Sequence, residues 1–180
     1  MRALVVYESM YGNTHAVATD IAAGLRSTHE VTLVPVNRAT RELVASADLI
    51  VAGGPTHMHG MSTVTSRRMA AQTAGKPGSG LAMDADADGP GLRTWLERLS
   101  VRDVFAVCFD TRRSGAPAFT GRASRSISRL LTRNGCRLLL PPESFLVTGQ
   151  NTLLEGEAAR ACSWGALVGE AARVAYAAAR

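Results

Sequence analysis

Five short apolar segments recur along the chain with helix-like stretches between them, and this alternation constrains the fold more than any other feature. Residues 2–7 (RALVVY), 30–36 (EVTLVPV), 49–52 (LIVA), 104–110 (VFAVCFD) and 136–140 (CRLLL) read as strands. The fifth resumes at 144–147 after Pro141 and Pro142, which have no N–H to give a sheet. Between them, residues 14–27, 40–46, 62–73, 92–99 and 120–134 read as helices or helical turns. Asn13 or Thr14 is the expected cap of the first. An Ala-rich helix over 155–179 closes the chain. Strands that are apolar throughout, each followed by a helix, bury both their faces in a parallel sheet. The expected architecture is therefore α/β: a three-layer, doubly wound, five-stranded parallel sheet forming one domain over residues 1–180. In such sheets ligands bind beyond the carboxyl ends of the strands, where the strand order reverses.

Residues 75–91 (GKPGSGLAMDADADGPG) interrupt the alternation. Their Gly and Pro content predicts a flexible loop or insertion. Within it, Asp84–Gly89 (DADADG) matches the first half of a calcium-binding loop. The twelfth position of that loop, where a bidentate Glu is needed, is Trp95. The segment reads as an acidic loop, and no metal site is assigned.

Charge narrows the function classes. The formal net charge is +5, and all basic residues but Lys76 are Arg. No basic run exceeds two residues and few aromatics lie among the arginines, so nucleic acid is not the expected partner. No apolar run approaches the ~18 residues of a spanning helix. The run after Arg2 is too short for a secretion signal. Cys108, Cys136 and Cys162 are widely spaced and form no CxxC pair. They read as small apolar residues in a reducing cytoplasm. A homodimer is compatible with the sequence.

The junction after the first strand carries the chemistry. Ser9, Met10, Tyr11, Gly12, Asn13 and Thr14 join a strand to a helix without any Lys or Arg. The first turn of a helix presents unpaired N–H groups and partial positive charge. A phosphate there is held by amides and hydroxyls, with Gly12 allowing close approach. Neither a Walker A loop nor GxGxxG is present, which leaves a monophosphate cradle built from Ser9, Asn13 and Thr14. The residues alone leave an ordinary strand-to-helix turn open as the alternative.

The stretch VVYESMYGNT, residues 5–14, resembles the flavodoxin signature at Val5, Val6, Tyr7, Ser9, Gly12 and Thr14. The resemblance implies strand order 2-1-3-4-5 and FMN at the switch point between strands one and three. It gives roles to two further loops. GGPTHMHGMS, residues 53–62, is similar to the ring-bordering loop of flavodoxin-like proteins and of the FMN-dependent quinone reductases of this fold. It makes Pro55, Thr56, His57, Met58, His59 and Gly60 flavin neighbours. FDTRRSGAPAFTG, residues 109–121, corresponds to the loop at the pyrimidine end, with Asp110, Thr111 and Arg112 nearest and Arg113 next. Both loops lack the Trp and Tyr that often sandwich the ring in flavodoxins; only Phe109 and Phe119 are aromatic.

The implied function is FMN-dependent electron transfer, with a redox partner protein or a small-molecule acceptor such as a quinone, or a porphyrinogen-type donor. A basic chain departs from the usual acidic carrier, which docks on basic partners. The alternative is a flavodoxin-like module that has lost FMN and serves binding or regulation.

Overall fold

The computed structural model describes residues 1–179. Strands β1 (Arg2–Tyr7), β2 (Glu30–Pro35) and β3 (Leu49–His57) alternate with α1 (Asn13–Leu25) and α2 (Arg41–Ser46). The two-residue strand β4 (Gly60–Met61), α3 (Val64–Ala74) and α4 (Leu92–Arg98) follow. Then come β5 (Val104–Arg113), α5 (Pro117–Thr120), α6 (Ala123–Arg133), β6 (Cys136–Leu138), β7 (Glu143–Val147) and α7 (Glu157–Ala178).

The parallel sheet has the order β2-β1-β3-β5-β6, with β7 also pairing with β5. β6 lies beside Val104–Ala106 and β7 beside Phe109–Arg113. The pair is thus one edge strand interrupted at residues 139–142, and the five-strand order is 2-1-3-4-5, as the resemblance implied. Alternate residues feed two cores. Val5, Leu49, Val51 and Val107 face α1 and α7, whose Val17, Ile21, Trp164 and Val168 complete that side. Leu4, Val6, Ile50 and Ala106 face Val44, Leu92, Leu96, Ile127 and Leu131 of α2, α4 and α6. Both faces of the strands are therefore buried, which explains their unbroken apolar runs.

Several boundaries differ from expectation. β3 continues five residues past Ala52, because Gly53, Gly54 and Pro55 lie in register with Phe109, Asp110 and Thr111 of β5. Tertiary pairing overrides the weak strand preference of Gly and Pro here. β5 likewise reaches Arg113, a residue expected in a loop. α1 is capped by neither Asn13 nor Thr14: its N-cap is Gly12, at φ 89°, with no side-chain cap.

Residues 75–91 form no strand or helix, but their second half is tied to the body. Asp84 N–H donates to the Met10 carbonyl (2.8 Å), and the Tyr7 hydroxyl donates to Asp86 (3.2 Å). The Arg67 guanidinium donates to the carbonyls of Ala87 and Gly89 (2.8 and 2.7 Å). The flexible loop expected over 75–91 is therefore anchored over residues 84–89.

Candidate functional site

The carboxyl ends of β1, β3 and β5 meet around a cavity of about 150 Å³. It is lined by Met10, Tyr11, Asn13 and Thr14 from the first loop, and by Pro55, Thr56 and His57 from the end of β3. Thr111, Arg112 and Arg113 come from β5, and Val147 and Asn151 from the end of β7 and the turn after it. Four segments far apart in sequence converge because the sheet puts β1 between β2 and β3, β5 on the other side of β3, and β7 beside β5. The lining contains two guanidiniums, hydroxyls and amides, and no carboxylate.

The first loop owes its shape to Ser9 and Gly12. Gly12 N–H donates to Ser9 Oγ (3.1 Å), closing a tight turn. The left-handed φ at Gly12 is one that L side chains rarely adopt. The first intrahelical bond runs from Ala16 N–H to the Gly12 carbonyl, so the amides ahead of Ala16 have no partner within the helix.

The side chains expected to hold a phosphate are partly engaged elsewhere. Ser9 is buried and shapes the loop rather than lining the cavity. Asn13 donates its amide to the Asn151 carbonyl (2.9 Å), tying the first loop to the turn after β7. Thr14 and Thr111 share a hydroxyl–hydroxyl bond of 2.7 Å across the cavity floor. The donors left for an anion are the amides of the first turn of α1, the arginines, and the hydroxyl hydrogen that the Thr14–Thr111 bond leaves unused.

Arg112 braces its own loop. Its Nη1 donates to the Arg113 and Gly115 carbonyls and to Thr120 Oγ1, while its buried Nε has no partner. Arg113 is exposed at the rim.

Asp110 departs from expectation. It is fully buried, lies outside the cavity lining, and accepts Ser124 N–H at 2.7 Å. Its carboxylate holds the N-terminal turn of α6 against β5, where the helix dipole favours negative charge.

Met58 and His59 form the tip of the β3–β4 hairpin, with φ of 45° and 77°. Two positive-φ residues suit a two-residue hairpin whose twist matches the strands. Without Gly, each costs about 1–3 kcal/mol, strain of a kind concentrated at functional loops. Neither residue lines the cavity, and the same holds for Gly60. Met58 is exposed, and His59 packs its backbone on Gly121 and accepts Arg122 N–H.

Glu8, which the sequence did not single out, is the buried hub behind the site. It accepts Ser62 Oγ–H (2.5 Å) and Leu92 N–H (2.7 Å), and Arg67 lies 3.5 Å away. It thereby joins the first loop to β4, α3 and α4. No periodic signal marks such a residue, because its partners come from 54 and 84 positions downstream.

His57 sits at the cavity edge with Nδ1 3.1 Å from Ser66 Oγ. Ser66 Oγ already donates to the Thr63 carbonyl and accepts Thr63 N–H. It can therefore only accept from His57, which assigns the proton to Nδ1 and leaves Nε2 as an acceptor. Burial pushes the His57 pKa below its ordinary value; Glu8 opposes the shift and Arg67 adds to it. The unfolded chain thus binds a proton that the folded one refuses, and stability is lost as pH falls through the unfolded value of about 6.5. His57→Gln should flatten the pH dependence of the melting temperature between pH 7 and the folded pKa. An unchanged slope would show that His57 is not excluded from water.

The flavodoxin family model matches residues 5–84, which hold the first loop, the β3 loop and the anchoring residue Asp84. A flavodoxin from the domain Archaea superposes with a TM-score of 0.65 at 17% identity, covering 96% of this chain and 99% of its own. The chain has the flavodoxin-like fold. Oxidised flavodoxin 1 from Bacillus cereus gives 0.62 at 18% identity, with 92% and 95% covered. The flavodiiron core Flv1 of Synechocystis sp. PCC6803 gives 0.64 at 14%, where 97% of this chain spans 36% of the longer one. Among curated protein sequences no match is found. No helix among the described residues is long and apolar enough to cross a membrane.

Proposed function

We propose that this chain binds FMN by its phosphate at the first turn of α1 and serves as an electron-transfer flavoprotein. The observation that carries the reading is the cavity itself: a helix N-terminus, hydroxyls and two arginines, with no carboxylate in the lining. That donor set fits a phosphate. The volume of about 150 Å³ suits the phosphate and polyol end of a ligand, below the roughly 300–1,000 Å³ of pockets that enclose whole cofactors. The Gly12 turn supports the same reading, since nothing lies within 4 Å of where a Cβ would stand.

Bound FMN supplies the redox chemistry, accepting and releasing one or two electrons. The chain's own part is to orient and to tune. The α1 amides fix one end of the ligand. The Thr14–Thr111 pair sets the floor, and the Asn13–Asn151 bond holds the turn after β7 in place. The net positive charge suits an acidic redox partner, or a small acceptor of the quinone class. Protein purified without added flavin should release FMN on acid denaturation, near one per chain. Protein that stays colourless and gains no visible band on adding FMN would defeat the reading.

Arginines at the cavity also favour the reduced, more negative flavin. Arg113→Gln should lower the two-electron potential by roughly 10–20 mV, a figure kept small by solvent at the rim. A spectroelectrochemical titration reads this directly. A potential that rose or stayed fixed would remove Arg113 from the ligand's field.

A further inference from the structure

Behind the first loop, on the side of the anchored segment, stands a second cluster that the flavin reading does not use. His15 lies in the first turn of α1, while Asp84 and Asp86 belong to the tight turn that docks on Met10. Each offers one ligand atom, and these atoms lie within 4.8 Å of one another. His15 Nδ1 and Asp84 Oδ2 are 3.5 Å apart. Two donors each ~2.1 Å from one tetrahedral ion stand about 3.4 Å apart, so this pair is already at ligand spacing.

The decisive atom is Asp84 Oδ2. The Asp84 side chain is only 4% exposed, and its Oδ2 is buried without any hydrogen-bond partner. The other oxygen is occupied, accepting Asp86 N–H at 3.1 Å, which aims Oδ2 at His15. A buried carboxylate oxygen with no donor is costly unless a cation meets it. The His15 ring is held in place by stacking on Tyr7, with centroids 4.5 Å apart and planes 17° from parallel. Asp86 is positioned by the Tyr7 hydroxyl and by Arg38 at 3.6 Å.

The geometry points to a divalent transition-metal site formed by His15 Nδ1, Asp84 Oδ2 and an Asp86 carboxylate oxygen. One imidazole and two carboxylates suit Zn²⁺ or Mn²⁺ better than Ca²⁺, which prefers an all-oxygen shell. These ligands are not those of a calcium loop, because the third comes from α1. An ion there would clamp residues 84–89 to the loop that shapes the cavity, since Asp84 also bonds Met10 through its backbone.

The test uses chelator-treated full-length protein without added flavin, so its outcome does not depend on the FMN reading. Calorimetric titration with Zn²⁺, Mn²⁺ and Ca²⁺ should give one site per chain, with Zn²⁺ or Mn²⁺ tighter than Ca²⁺. Zn²⁺ should also raise the melting temperature. Asp84→Asn and His15→Gln should each weaken binding at least about tenfold and abolish the thermal shift. His15 is partly exposed, so its variant should fold even if Asp84→Asn does not. Asp88→Asn, an exposed carboxylate in the same segment, should change nothing. No saturable binding would leave the cluster as a His15–Asp84 contact and overturn the site. Equal loss in Asp88→Asn, or full binding in His15→Gln, would do the same.

Discussion

Gly165→Ala is expected to destabilise the protein by about 2 kcal/mol, lowering its melting temperature by roughly 5 °C. Gly165 of α7 faces Ile21 of α1, and a Cβ there would overlap the Ile21 carbonyl. Gly24 of α1 makes the reciprocal approach, to the Cys162 carbonyl and the Ala166 nitrogen. The two helices cross with backbone against backbone, and no rotamer change relieves a clash with main-chain atoms. The helix preference of Ala over Gly, about 1 kcal/mol, offsets only part of the cost. Gly24→Ala should behave alike, and the double variant should fall short of the sum, because both open the same crossing. Gly75→Ala is the control. Its φ is −72° and its added Cβ meets only ordinary contacts, so its stability should not fall. Thermal denaturation followed by circular dichroism reads all four. An unchanged Gly165→Ala midpoint would mean that α1 and α7 are not this close.

Gly12→Ala should weaken FMN binding by about tenfold while leaving riboflavin binding unchanged. The substitution meets no steric obstacle, so its whole effect comes through the backbone. A side chain at φ 89° costs about 1–2 kcal/mol. The loop can relieve that strain by rotating the Gly12 and Asn13 peptides, which turns the amides away from a bound anion. The expected loss is the same 1–2 kcal/mol, or about tenfold in Kd. Riboflavin lacks the phosphate and should not sense the rotation. Equal weakening of both ligands would mean that the loop holds something other than the phosphate.

The layout of the sheet was legible because its strands bury both faces. β1, the start of β3 and β5 are unbroken apolar runs, and local composition suffices to find them. The split edge strand was legible through Pro141 and Pro142. What the sequence concealed were features fixed only by the assembled sheet. β3 runs on through Gly53 and Pro55 because β5 is there to pair with it. Asp110 looks like a loop acid beside two arginines, yet the incoming α6 terminus claims its carboxylate. Arg112 reads as a free cation, but three acceptors in its own loop hold it. Asn151 carries no motif and reaches the cavity from 138 residues beyond Asn13, by a bond that no spacing rule anticipates. The first loop was the most legible part of the site, since its glycine and hydroxyls are themselves the local cause of its shape.

Whether the first turn of α1 holds the FMN phosphate is read by titrating the flavin-free protein with FMN and with riboflavin, followed by flavin fluorescence quenching. Bonds from amides to a charged acceptor are worth about 1.5–3 kcal/mol each, so losing the phosphate should cost at least about tenfold in affinity. FMN should bind one per chain, riboflavin should bind more weakly by that factor or more, and inorganic phosphate should compete with FMN. Equal affinities for FMN and riboflavin would mean that the first turn of α1 does not hold the phosphate. Failure of both to bind would instead make the chain a flavodoxin-like module without its flavin.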